Sequence, residues 1–388
     1  MVKRILTLLL FSGVAAIVLP AVEYGKLDYA AVSIPGTDFK WEDAAQVFRT
    51  TLKIPAEGKY NLYFDMAAVE RSSVKLQIDG KEIPSLDLPG TARTPGRFLR
   101  IKLASAVPLA AGEHGVEVLA GNPFKGLTVK ALLAEKVVSP HRWRLVWSEE
   151  FNEDGFPDET KWRGEEGFLR NYEPQYYTIG RKENISVKNG ILTITARREK
   201  WKNKYYDPNS EDWRMNRPEA EFTSAQLDTF YSGAWQYGKI EARIKVIAGC
   251  GRWPAFWTMG VTGGWPEQGE IDIMEYFGKS NNRITQALHK AGNDGKDHAV
   301  QDWNIKTKDG TPMEGRFHVY SVIWDENKVE WFIDNRKTFE AVRKPGEPWC
   351  VDNPQYIILN HALGRYSGEI PPELNEASFY IDYVRVYQ

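Results

Sequence analysis

Short alternations of apolar and polar residues run through the chain, and no helical period of comparable length interrupts them. In 239–246, Ile240, Ala242, Ile244 and Val246 fall on one face, and Lys239, Glu241, Arg243 and Lys245 on the other. That period of two belongs to a strand with one buried and one polar side. Tyr60-Asn61-Leu62-Tyr63-Phe64 and the series Val74, Leu76, Ile78 repeat it, as do 99–103, 116–119, 127–133, 191–195, 329–333 and 379–387. Asp79-Gly80, Asn189-Gly190 and Asp334-Asn335 punctuate the runs, and such pairs tolerate the positive φ of hairpin turns. The pattern predicts an all-β protein.

Spacing and composition divide it in two. From 22 to 138, strands recur at regular intervals and read as a small β-sandwich. Composition changes at Ser139-Pro140, and 141–388 reads as one large antiparallel sandwich. Thirteen of the 14 Trp lie after residue 140, with only Trp41 before it. Trp324 and Trp331, on alternating strands, are assigned to the core. Ahead of both parts, Lys3-Arg4 precedes an apolar stretch, 5–19. It is shorter than the roughly 20 residues of a membrane span, so 1–21 reads as a secretory signal, with Ala16 and Ala21 as candidate last residues. A secreted or periplasmic location is expected, with no membrane attachment once the signal is removed. Lys and Arg number 50 against 52 Asp and Glu, a net charge of −2, which gives no reason to expect nucleic acid as a partner. Only two Cys are present, Cys250 and Cys350. They exclude a disulfide framework or a four-thiolate zinc site, and leave open whether the two pair.

The densest chemistry is Glu270-Ile271-Asp272-Ile273-Met274-Glu275. Strand parity puts Glu270 and Asp272 on one face and Glu275 on the other. A β-bulge near Met274 would return Glu275 to the first face, so that three carboxylates converge. Like-charge repulsion should then keep at least one protonated near neutral pH. Two carboxyl groups on one face suit a retaining glycosidase, with one as nucleophile and one as acid/base, and an intervening Asp272 would orient them and tune their pKa values. A hard-cation site and a merely solvated polar face are the competing readings.

This stretch resembles the active-site signature of glycoside hydrolase family 16, in its laminarinase-like branch. Tyr237-Gly238-Lys239-Ile240-Glu241-Ala242-Arg243, Trp253-Pro254-Ala255-Phe256-Trp257, Asn171-Tyr172-Glu173-Pro174-Gln175-Tyr176-Tyr177 and Ile381-Asp382-Tyr383-Val384-Arg385-Val386-Tyr387 are similar to that family's segments, in family order. The resemblance implies a concanavalin-like jelly-roll β-sandwich with a sugar cleft on its concave face. It implies endo-acting, retaining hydrolysis, with Glu270 as nucleophile and Glu275 as acid/base. It further implies that Trp253 and Trp257 line subsites beside the nucleophile, that Asn171 and Arg243 make polar contacts in or beside the cleft, and that His289 is a cleft histidine. Trp265 is a further candidate contact, since aromatic planes stack on sugar faces. No cofactor is expected for catalysis. Glu150, the Gly190 carbonyl and Asp382 match positions that hold a structural calcium in relatives.

Two segments depart from the family pattern, Gly264-Trp265-Pro266-Glu267-Gln268-Gly269 and His361-Ala362-Leu363-Gly364-Arg365. Both are expected to border the cleft. They weaken the transfer from family to substrate, and a β-1,3-glucan remains the first-choice substrate, with agarose-like or other galactans and mixed-linkage glucan as alternatives. A non-catalytic polysaccharide-binding protein is the reading from another class. The N-terminal region resembles sugar-binding modules appended to glycosidases, or serves as a spacer. The protein is expected to be a monomer.

Overall fold

A computed structural model describes residues 32–35, 40–42, 47–91, 98–120, 127–138, 143–280, 282–307 and 310–388. The 1–21 segment and the Ser139-Pro140 boundary lie outside the described residues.

Toward the N-terminus, two antiparallel sheets face each other. One has four strands in the order Val32–Pro35, Thr128–Lys136, Gly58–Ala67, Leu99–Leu109. The other has five, in the order Lys40–Glu42, Val47–Ile54, Gly112–Ala120, Val74–Ile78, Lys81–Ile83. Alternate residues point inward, and Leu52, Leu62, Phe64, Leu76, Ile101, Leu103 and Leu132 close the space between the sheets. Asp79 and Gly80 take φ values of 51° and 73°, as the hairpin between Val74–Ile78 and Lys81–Ile83 requires.

The larger sandwich stacks a ten-stranded sheet on a seven-stranded one. Gly238–Lys245 lies between Glu376–Tyr387 and Phe317–Trp324 in the first sheet. Its Ile240, Ala242 and Ile244 are wholly buried against the second. Trp324 and Trp331 sit in this core, and the Trp331 indole N–H donates to the Asp272 carbonyl at 2.8 Å. Large aromatics fill the span between sheets about 10 Å apart better than aliphatic residues do.

The same alternation corrects one expectation. Arg243 follows Ala242 outward, so it lies on the far side of the ten-stranded sheet. There it pairs with Asp382 and covers the Phe317 ring, away from the acidic strand's sheet. The side chains of the expected calcium donors are engaged by arginines in this structure. Arg385 holds the Glu150 carboxylate with two hydrogen bonds, at 2.9 and 2.8 Å, and Arg243 holds Asp382. Gly190 stays in its hairpin turn at φ 76°. No group of three or more His, Cys, Asp or Glu side chains able to hold a metal occurs among the described residues. Carboxylates neutralised by guanidinium groups do not fit a cage that needs six to eight oxygens. Cys250 and Cys350 are both free thiols.

Trp331 ties the core to the backbone under the acidic strand. Trp331→Ala is expected to cost about 3–5 kcal/mol of stability, read as a lower urea midpoint with an unchanged slope.

Candidate active site

The seven-stranded sheet runs in the order Arg163–Gly164, Gln226–Asp228, Gln355–Leu363, Arg252–Gly260, Glu270–Glu275, Ile284–His289, Val300–Ile305. Its inner face packs on the core and its outer face carries the candidate chemistry. The acidic strand Glu270–Glu275 has a neighbour on each side, and its register slips against both. Against Arg252–Gly260, Trp257 pairs with Asp272 and Phe256 with Met274, so Ile273 is the extra residue. Against Ile284–His289 the slip falls between Asp272 and Glu275. Ile271, Ile273 and Met274 are all wholly buried in the core. With two successive residues turned inward, Glu275 joins Glu270 and Asp272 on the outer face.

Each carboxylate receives a donor from a different element. Trp253 donates its indole N–H to Glu275 Oε1 at 3.0 Å. Trp265, on the loop before the strand, donates to Glu270 Oε2 at 2.7 Å and is itself 54% exposed. His289 lies directly opposite Glu270 across the sheet. Its Nε2 is 3.3 Å from Asp272 Oδ2 and its Nδ1 is 2.8 Å from Asp297 Oδ2. Burial alone would lower the imidazole pKa, but Asp272, Glu270 and Asp297 push it up to about 10. At neutral pH both ring nitrogens therefore donate.

Burial raises both glutamates. Glu270 rises to about 8 through desolvation and then the Asp272 charge, with His289, Trp265 and Arg170 opposing the rise. Glu275 is raised well above its ordinary value by burial, then by Asp272 and Glu270, with Trp253 opposing. The site thus holds at least one proton among its carboxyl groups at neutral pH.

Trp253 stands beside Glu275, not beside Glu270 as expected, because the antiparallel register sets Ala255 opposite Glu275 and Met259 opposite Glu270. Trp257 lies between, and the Arg170 guanidinium sits 5.0 Å from its ring centroid. A chain of hydrogen bonds fixes this floor. The Trp257 N–H donates to Asn360 Oδ1 at 2.7 Å, and the Asn360 amide donates to the Tyr177 hydroxyl at 3.0 Å. Tyr177 then donates to Glu173 Oε2 at 3.2 Å. Asn171 is exposed, with φ 58°, and spends its amide on Glu173 Oε1, so it braces the floor from the rim. Asn360, just before the departing segment near the C-terminus, serves the floor, while His361, its first residue, turns inward. Burial beside Phe379 pushes the His361 pKa down to about 3.

Sequence reasoning missed a group of aromatics around Trp253. Phe277 stacks on Trp303 at 5.4 Å, and Tyr366 meets Trp253 edge-on at 5.4 Å. Trp303 is 50% exposed although it shares a strand with the core residue Ile305, so local pattern gave no signal for it. Tyr366, in the turn Arg365–Ser367, had none either.

The glycosyl hydrolases family 16 profile matches residues 172–385. A beta-glucanase of Rhodothermus marinus is 34% identical over 269 residues, covering 64% of this chain and 86% of that protein. The laminarinase catalytic domain of Thermotoga maritima superposes with a TM-score of 0.54 at 33% identity, over 64% of this chain and 99% of that one. A solved structure from work on endo-acting O-glycanases of human gut microbiota gives a TM-score of 0.58 at 30% identity, over 64% and 92%.

The raised Glu270 pKa has a consequence for stability. Between its ordinary value of 4.5 and about 8 the folded protein keeps a proton that the unfolded chain releases. Stability from this group is full below pH 4.5 and falls as pH rises through 8. Glu270→Gln removes the penalty. It should raise the melting temperature by roughly a few degrees above pH 8, and by much less below 4.5, in thermal unfolding followed across pH.

Proposed function

The chain belongs to the glycosyl hydrolases family 16, and on that premise we propose that it is an exported, endo-acting β-1,3-glucan hydrolase working by double displacement. The observation that carries this reading is the bulged acidic strand, which sets Glu270, Asp272 and Glu275 on one face with a separate donor for each. That the chain is a glycoside hydrolase follows from its family.

In this reading Glu275, held protonated by burial and by its acidic neighbours, gives its proton to the glycosidic oxygen. Glu270 attacks the anomeric carbon as the carbon–oxygen bond breaks and its electron pair passes to the leaving oxygen. The result is a glycosyl ester of Glu270 and a shortened sugar chain. Glu275, now ionised, takes a proton from water, and the water oxygen displaces Glu270. The His289 charge and the Trp265 N–H limit the rise of the Glu270 pKa, so that a fraction of the nucleophile is ionised at neutral pH. Asp272, bridged to His289, keeps that charge beside both glutamates. The aromatics along the strand face suit the apolar faces of pyranose rings. Export rests on the 1–21 segment. The choice of glucan is supported by the near-neutral charge and by the names of the R. marinus and T. maritima relatives. A mucin-type O-glycan is the second reading, favoured by similarity to the O-glycanase structure.

Incubation with laminarin, lichenan, agarose, carrageenans and mucin O-glycans, followed by sizing of products, tests both readings. Laminarin should give a ladder of intermediate oligosaccharides, with new reducing ends in the β configuration by NMR. Glu270→Gln and Glu275→Gln should each lower kcat roughly thousand-fold or more. Wild-type rates in either variant would remove it from the mechanism. The acidic limb of kcat/KM should lie above the ordinary glutamate value, because burial raises Glu270.

A further inference from the structure

The Trp265 loop closes on itself through two backbone hydrogen bonds, from the Gln268 N–H to the Gly264 carbonyl at 2.9 Å and from the Gly269 N–H to the Pro266 carbonyl at 3.1 Å, which shape the turn but do not anchor it to the sheet. It contains Gly263, Gly264 and Gly269, two of them at positive φ, and Trp265 is exposed. Yet the hydrogen bond to Glu270 requires the indole in one place. What fixes the loop is the short turn Cys350–Asp352 and the residue after it. The Asn353 amide donates to the Thr262 carbonyl at 2.7 Å and to the Gln268 carbonyl at 3.3 Å, clamping both ends of the loop. The fit is tight. A Cβ on Gly269, the residue before Glu270, would lie 2.7 Å from the Cys350 carbonyl carbon and oxygen. A Cβ on Gly260 would lie 1.9 Å from the Gln268 carbonyl oxygen and 2.6 Å from Asn353 Nδ2.

This turn is in turn held by the N-terminal sheets. Arg71, between Gly58–Ala67 and Val74–Ile78, grips the Asp352 carboxylate with two hydrogen bonds, at 2.8 and 2.5 Å. Gln236 donates to the Asp352 carbonyl at 2.7 Å and accepts from the Lys102 backbone N–H at 2.6 Å. The Thr262 hydroxyl lies 3.3 Å from Asn353 Oδ1 and 3.4 Å from the Gly90 carbonyl, its one proton serving either. Gly90 is packed so closely that a Cβ there would meet the Thr262 methyl at 3.0 Å. Three separate N-terminal points, Arg71, Gly90 and Lys102, thus converge on the scaffold under one loop.

We propose that the N-terminal sheets position the nucleophile-side loop, with Arg71 as a positioning residue that acts through Asp352 and Asn353 on the Trp265–Glu270 hydrogen bond. The proposal rests on the reading of Glu270 as nucleophile. A bidentate guanidinium–carboxylate pair fixes orientation as well as distance, and small displacements of a catalytic donor cost rate steeply. Glu270 faces Asp272 and Glu275 on its own strand, His289 from the next strand, Trp265 from the loop and Arg170 from the rim. Of these groups, only Trp265 belongs to the loop that Asn353 clamps. Loosening the clamp withdraws one donor from the carboxylate, which raises the nucleophile's pKa and moves the acidic limb of the pH profile upward.

The test is the pH dependence of kcat/KM of the full chain on its fastest-cleaved polysaccharide, for Arg71→Ala, Trp265→Phe and the double variant, with Glu270→Gln alongside. Trp265→Phe should raise the acidic limb, and Arg71→Ala should raise it by about 0.5 unit with a kcat about 3- to 10-fold lower. The double variant should shift no further than Trp265→Phe alone, since both act on one hydrogen bond. Thr262→Val weakens the same link without touching Arg71 and should shift the limb in the same direction, which keeps the test open if Arg71→Ala folds poorly. An unmoved limb in Arg71→Ala or Thr262→Val, or a shift fully additive with that of Trp265→Phe, overturns the proposal. Should Glu270→Gln be inactive while Arg71→Ala is silent, only this inference fails. Should Glu270→Gln remain active, the catalytic reading fails first.

Discussion

One extra residue in one strand governs the chemistry of this molecule. Without the bulge at Ile273, strict alternation would turn Met274 outward, bury Glu275 in the core and leave Glu270 and Asp272 without a partner. With it, Ile273 and Met274 both turn inward among the aliphatic side chains, and the carboxyl after them emerges on the cleft face. The Trp331 indole holds the Asp272 carbonyl, next to the bulge, from below. A core aromatic thereby contributes to the placement of surface acids. The bulge persists because the sandwich core has room for two consecutive apolar side chains there, whereas a buried, unpaired carboxylate would cost several kcal/mol.

Crowding three acids onto half-buried strand positions creates a second problem, which neighbouring elements solve. Desolvation and mutual repulsion raise the two glutamates. Donors arrive from three directions: Trp253 from the adjacent strand, Trp265 from the preceding loop and His289 from the strand beyond. Each donor relieves a different carboxyl, so the acids are distinguished by their surroundings rather than by their own chemistry. The floor beneath them is equally indirect. Asn171 and Glu173 act on Trp257 through Tyr177 and Asn360, a relay from the rim to the centre of the sheet.

How much of this could be read from sequence depended on range. Hairpins at Asp79-Gly80 and Asn189-Gly190, the faces of Gly238–Lys245 and the core placement of Trp324 and Trp331 were all legible, because period-two patterning and turn chemistry are local. The bulge was legible too, from the odd spacing of Glu275 within an otherwise regular strand. Arg243 misled because a strand pattern shows that a residue faces outward but not which of two sheets it belongs to. The arginine pairing of Glu150 and Asp382 was not legible, because Arg385 and Arg243 were present in the sequence with no mark of it. His361 misled for a similar reason: Asn360 and His361 are adjacent, and only register decides which of them enters the core.

By itself, then, the sequence determined the all-β class, the strand faces and the identity of the acidic trio, since each follows from spacing along one segment. Tertiary structure alone decided which donor meets which carboxylate, that Trp253 serves Glu275, and that the N-terminal sheets reach the Trp265 loop through Arg71 and Asp352. Those partners lie as much as 281 residues apart. Their meeting depends on strand order and sheet stacking, which no local pattern encodes.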